Sequence, residues 1–336
     1  MDWTRDVRAF AKLLSFTLLL LCLPTFPAKA DEMTSTFAIG GARVDITIDA
    51  EKGELSQADL MRWVKSAAES VTTYYGRFPL PHVLLRIVSF AGRGVRGGRT
   101  SDTDGGLITI HVGNATSAAE FAGDWMLTHE MLHLGFPSLE RNHHWLEEGV
   151  STYVEPIARI RAGHWTAQQM WADLVRDLPK GFPQDGDRGL DHTHTWGRTY
   201  WGGALFCFLA DVEIRRKTQN KKGLEDALRA ILDAGGDIRK DWELEQTLKI
   251  GDRATGTDVL VKLYEQMKDQ PVNVDLAALW KELGVVSDNG AIHFQDDAPL
   301  AAVRRAITAG ASAKTAGAAA AARPLTIFAG RTAGRV

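Results

Sequence analysis

The 336-residue chain reads as an α+β protein: a small N-terminal β-sheet with one helix, followed by a mostly helical C-terminal lobe. Three observations predict this. The segments with strand-like apolar character fall before residue 116. After it, apolar residues recur at helical spacing in one run after another. The composition, 45% hydrophobic and 24% charged, is globular, which excludes disordered, collagen-like and coiled-coil classes.

Taken in order, residues 1–30 read as a secretory signal peptide. Arg5, Arg8 and Lys12 lead into an apolar run from Leu13 to Leu23, and Ala28-Lys29-Ala30 supplies a small-residue cleavage site near Ala30. The run is shorter than the ~20 residues a spanning helix needs. The expectation is therefore an exported protein, periplasmic or secreted, with no membrane span after cleavage. Residues 31–115 form a β-rich lobe, with strands at 43–48, 82–90 and 107–112. Between the first two, residues 56–75 read as an amphipathic helix that Ser56 and Asp59 start and Gly76 stops. Gly92, Gly94 and Gly97 match G-x-G-x-x-G after a strand. A second strand rather than a helix follows, so no helix N-terminus can face a pyrophosphate, and the stretch 91–106 reads as a hairpin or flap. Its Arg93, Arg96 and Arg99 read as solvated.

Residues 116–306 read as a helical lobe, with helices at 117–134, 144–160, 166–178, 198–217 and 222–234 and more to about 284. Residues 307–336 are Ala/Gly-rich without apolar periodicity and read as a disordered tail. Cys207, in an apolar helical run, reads as a buried, inert thiol. Residues 31–306 carry 31 basic and 40 acidic side chains, which argues against a nucleic-acid partner.

The chemistry concentrates at His129-Glu130-Met131-Leu132-His133. Residues four apart share a helix face, so both imidazoles can aim at one cation while Glu130 reaches a water bound to it. A hydrolytic zinc site needs a third protein ligand and keeps a fourth position for water. Glu140, His143, His144, Glu147, Glu148 and Glu155 are the candidates that follow. Leu139 and Phe136 occupy the places where the metzincin group carries a histidine and a glycine, which excludes that group.

The segment His144-Trp145-Leu146-Glu147-Glu148-Gly149, running on to Glu155, resembles the second zinc helix of the gluzincin metallopeptidases, aminopeptidase-like branch. A zincin-like catalytic domain and zinc-dependent peptide hydrolysis are what the resemblance implies. By that match Glu148 is the third ligand and Glu155 orients a ligand histidine. Thr152 stands where the thermolysin branch has an aspartate. Tyr200-Trp201-Gly202-Gly203 is similar to the Y-x-K-G helix of the glycyl-aminopeptidase-like peptidases, which implies that Tyr200 assists catalysis; Gly202 replaces the lysine. The family segment that anchors a substrate amine through an acid has its nearest counterpart at Gly105-Gly106-Leu107, where Ile108 takes the acidic position. Endopeptidase and aminopeptidase action both stay open.

His143 and His144 read as polar residues of a loop-to-helix junction, and Trp125 as core. His192 and His194, shortly before Tyr200, are candidates to line the cleft. The expected protein is an exported metallopeptidase with one Zn2+ per chain, acting on a peptide or protein substrate, of unknown oligomeric state. The alternative is a catalytically inactive periplasmic binding or assembly protein of zincin fold.

Overall fold

The computed structural model describes residues 32–49, 55–309 and 327–329. The segments expected as a signal peptide and, for the most part, as a tail lie outside the described residues. An N-terminal hairpin, β1 (Glu32–Ile39) and β2 (Ala42–Asp49), turns at Gly40-Gly41, both at positive φ. Helix α1 (Gln57–Tyr75) follows, then β3 (His82–Phe90), β4 (Val95–Ser101) and β5 (Leu107–Gly113). These five strands form one mixed sheet in the order β1-β2-β3-β5-β4. β2, β3 and β5 run parallel, and β1 and β4 pair antiparallel at the two edges.

The inner strands bury alternate residues, as period-2 patterning requires: Val44, Ile46 and Ile48 on β2, Val83, Leu85 and Ile87 on β3, Ile108, Ile110 and Val112 on β5. Ser56 accepts from the Asp59 amide at 3.3 Å to start α1, and Gly76, at φ 84, ends it. Both edge strands escaped sequence reading for one reason. β1 (EMTSTFAI) and β4 (VRGGRTS) are half exposed, so neither needs a continuous apolar face.

The helical lobe comprises α2 (Ala118–Gly123), α3 (Met126–His133), α4 (His144–Arg161), α5 (Ala167–Asp177), α6 (Gly203–Thr218), α7 (Leu224–Asp233), α8 (Leu244–Thr255) and α9 (Val259–Met267). Beyond it come β6 (Val272–Val274), α10 (Leu276–Leu283), a hairpin of β7 (Val285–Asp288) with β8 (Ala291–Phe294), α11 (Ala301–Thr308), and β9 (Ile327–Ala329). α11 runs into the stretch expected as tail, and β9 pairs antiparallel with β6. Among the described residues no helix is long and apolar enough to cross a membrane.

Two expected helices are interrupted. The run 117–134 breaks at Asp124, whose carboxylate accepts from the Leu127 amide at 3.2 Å and the Trp63 indole at 3.0 Å. It starts α3 and ties it to α1 together. The run 198–217 opens as a π-helix over Gly197–Gly202 before α6. The sharpest contact in the lobe is between α4 and α6. A Cβ on Gly149 would lie 2.3 Å from the Gly203 carbonyl carbon, and one on Gly203 would lie 2.0 Å from the Trp145 oxygen. The two helices therefore cross backbone to backbone at a pair of glycines. Cys207 is buried on α6, and burial pushes its thiol up, as an inert structural cysteine requires.

Candidate active site

His129 and His133 stand one turn apart on α3, and their Nε2 atoms approach to 3.2 Å. Glu148, in the first turns of α4, brings Oε2 to 3.0 Å from His129 Nε2 and 3.5 Å from His133 Nε2. All three ligand atoms lie within 4.8 Å of one another. A tetrahedral ion with ligands at about 2.0–2.1 Å holds them about 3.3 Å apart. The three observed separations bracket that value. Two imidazoles and one carboxylate are also the donor set a hydrolytic zinc ion takes.

Burial, then the neighbouring imidazole, favours neutral His129, the form that can ligate. Burial also opposes charge on His133 and Glu148, but their mutual hydrogen bonding wins. His133 is raised, and Glu148 is held well below the usual carboxylate range by His129, His133 and His144. His144, read as a bystander, places Nε2 at 3.2 Å from Glu148 Oε1. Glu147 and Glu148 together push its imidazole up to about 10. His129 Nδ1 is buried without a hydrogen-bond partner.

Glu130 is buried at the same cleft. The Thr100 hydroxyl on β4 donates to Glu130 Oε2 at 2.6 Å, with the Glu130 backbone oxygen at 2.9 Å. This closeness depends on Gly98, where an added Cβ would lie 2.5 Å from Glu130 Cγ. The edge strand β4 thus borders the site, and the stretch read as a flap is part of the cleft wall. Ile108, which takes the acidic position of the family segment, is fully buried on β5.

Tyr200 sits in the π-helix, its ring 6.3 Å from that of His129 and near-parallel to it. Burial, then the Glu148 charge, raises its phenol to about 12. The π-turn is pinned from below. Arg198 donates to the Gly181 oxygen at 2.6 Å and pairs with Asp187 at 2.8 Å, both side chains buried. Asp191 accepts from the Trp145 indole at 2.9 Å and the Tyr264 phenol at 2.7 Å, locking the start of α4, and with it Glu148, to α9. His129, Glu130, His133, Glu148, Thr100 and Tyr200, with Arg99, Ser138 and Ile238, line a cleft of about 540 Å³.

Three sequence expectations are corrected. Glu155 is buried, but its hydrogen bond goes to Arg159 at 3.0 Å, one turn on in its own helix, and not to a ligand histidine. His192 bonds Asp269 at 2.8 Å on the surface, and His194 is exposed; neither lines the cleft. Trp125, read as core, is 49% exposed and walls the site. Thr100, Gly98 and Asp191 carried no sequence signal, because what they touch lies far away along the chain.

No protein-family model and no curated protein matches the chain. Solved structures do. An aminopeptidase N family protein from Idiomarina loihiensis superimposes with a TM-score of 0.59 over 80% of this chain and 53% of that one, at 13% identity. The likeness is one of fold. An M1 zinc metallopeptidase from Deinococcus radiodurans is also similar, with a TM-score of 0.47 and 16% identity over 71% of this chain and 52% of that one. The chain spans about half the length of these structures.

Proposed function

We propose that the chain is an exported zinc-dependent peptide hydrolase, working in the periplasm or outside the cell after cleavage near Ala30. The observation that carries the reading is the convergence of His129, His133 and Glu148, at 3.0–3.5 Å from one another, on the cleft that holds Glu130. Those three side chains would hold one Zn2+, which when bound polarises a carbonyl and acidifies a water. Glu130 takes the proton of the attacking water and passes it to the leaving amine. Thr100, bonded to Glu130 Oε2, keeps that carboxylate in one orientation. The phenol of Tyr200, protonated well beyond neutral pH, donates to the oxyanion that develops on the substrate.

The free edge of β4 offers main-chain donors and acceptors to an extended peptide. Val95–Ser101 itself carries no carboxylate to hold a terminal amine, but Asp102 and Glu147 line the same cleft, so internal and N-terminal bonds both stay open. The Glu148-Gly149 and Tyr200…Gly203 motifs support a place near the glycyl-aminopeptidase-like branch of the gluzincins.

The test is metal analysis together with digestion of a peptide library by wild type and Glu130→Gln. About one zinc per chain is expected in both. Hydrolysis should fall by about 10³-fold or more in the variant and disappear with a chelator. Absence of zinc defeats the reading. Zinc with identical, undigested libraries would instead support a non-catalytic binding protein of the same fold.

A further inference from the structure

Four aromatic rings form a row, of which three, Trp125, His129 and Tyr200, line the cleft and the fourth, Trp196, stacks on Tyr200. Trp125 meets His129 edge-on with centroids 5.4 Å apart, His129 lies 6.3 Å from Tyr200, and Tyr200 stacks at 5.8 Å on Trp196. The two middle rings belong to the reactive centre. The two ends are indoles, 49% and 61% exposed. They are two of the four large hydrophobics exposed among the described residues. Trp145 and Trp171, by contrast, are fully buried within the lobe.

An indole offers a large, rigid apolar face at small entropic cost, and leaving it in water forgoes that burial. Both indoles also stand at the starts of helical segments rather than on loop tips. Trp125 begins α3 just after the Asp124 break, and Trp196 immediately precedes the Arg198-pinned π-turn. Their positions beside the centre are therefore set by the scaffold. Met126 and Ile238 add apolar lining to the same cleft.

We propose that Trp125 and Trp196 are specificity determinants: apolar shelves, one at each end of the ring row, that receive bulky apolar side chains of an extended peptide on the two sides of the scissile bond. The inference rests on the peptidase reading, and it names the substrate class, namely peptides carrying Phe, Leu or similar residues at the cleavage point.

The experiment uses internally quenched peptides of one frame with Phe, Leu, Ala or Gly on either side of the bond, and reads ratios of kcat/KM. Wild type is expected to favour Phe over Gly by roughly 10–200-fold on each side, the range apolar pockets supply. Trp125→Ala and Trp196→Ala should each collapse that ratio to below about 3-fold on one side, and Trp→Phe should restore it. About one zinc per chain in every variant shows that the site still assembles. A wild-type ratio below about 3-fold, or one retained in both alanine variants, overturns the proposal.

Zinc-loaded Glu130→Gln separates the two claims. The affinities of the same peptides, measured by fluorescence anisotropy, should show the same preference without turnover. Preferential binding with no cleavage by wild type would sink the peptidase reading and keep the shelves. Cleavage without preference would do the reverse, and peptides neither bound nor cut would overturn both.

Discussion

Two buried polar clusters of the helical lobe are built in opposite ways. Around α6, Arg215 pairs with Asp211 at 2.8 Å and with Glu225 at 2.5 Å, and Arg161 approaches Glu225 at 3.5 Å. Tyr153 donates to Asp211, as does the Leu224 amide that begins α7. Two guanidiniums face two carboxylates, so the desolvated charge is compensated inside the cluster. At the cleft, Glu148 is held by imidazoles and the Tyr200 phenol, and among the described residues no guanidinium or ammonium hydrogen-bonds to it or to Glu130. The first cluster closes on itself and joins α4, α6 and α7. The second brings the donor atoms of two imidazoles and a carboxylate within 4.8 Å of one another, the donor set a divalent cation takes.

Four experiments press on that contrast, from the largest expected effect downward. Glu148→Ala should bring metal content from about one zinc per chain to near zero and remove hydrolysis with it. The same variant should lose less unfolding free energy than Asp211→Ala. Asp211→Ala should cost about 3–5 kcal/mol in denaturant unfolding, because it leaves buried Arg215 and Arg161 sharing the one carboxylate of Glu225; a smaller loss than that of Glu148→Ala would reverse the assignment of roles. Tyr200→Phe should keep zinc and lower kcat by about 10²-fold or more, as loss of one oxyanion donor does.

The smallest effect concerns Glu155, whose carboxyl burial raises to about 7 against the opposing pull of Arg159. Because the folded-state value lies above the ordinary 4.5, its contribution to stability is fully present below pH 4.5 and is lost as pH rises through 7. Wild type should therefore be less stable at pH 7.5 than at 4.5 by no more than about 3 kcal/mol on this account, and Glu155→Gln should flatten that part of the profile. Denaturant titrations at the two pH values check it.

The same contrast explains what sequence reading reached. His129, Glu130 and His133 were legible because four-residue spacing on a helix is a local fact. The inner strands β2, β3 and β5 were legible because burial on one face imposes alternation. β1 and β4 were not, since each is paired on one side only and exposed for much of its length. Glu155 was misassigned although its partner, Arg159, stands at the ordinary i,i+4 spacing. His192 and His194 are near Tyr200 in sequence, but their side chains face solvent, and His192 reaches Asp269. Asp191, one residue away, turns inward to Trp145 and Tyr264.

From its residues alone the chain specified an α+β order of elements and a helix presenting two imidazoles with a carboxylate beside them, because helical periodicity needs no distant partner. Tertiary structure decided the rest. Glu148 and Tyr200 reach the imidazole pair because α4 and α6 cross where Gly149 meets Gly203, and Thr100 reaches Glu130 because Gly98 leaves room. Such approaches depend on two backbones lacking side chains at the same point in space, a condition that neither segment carries by itself.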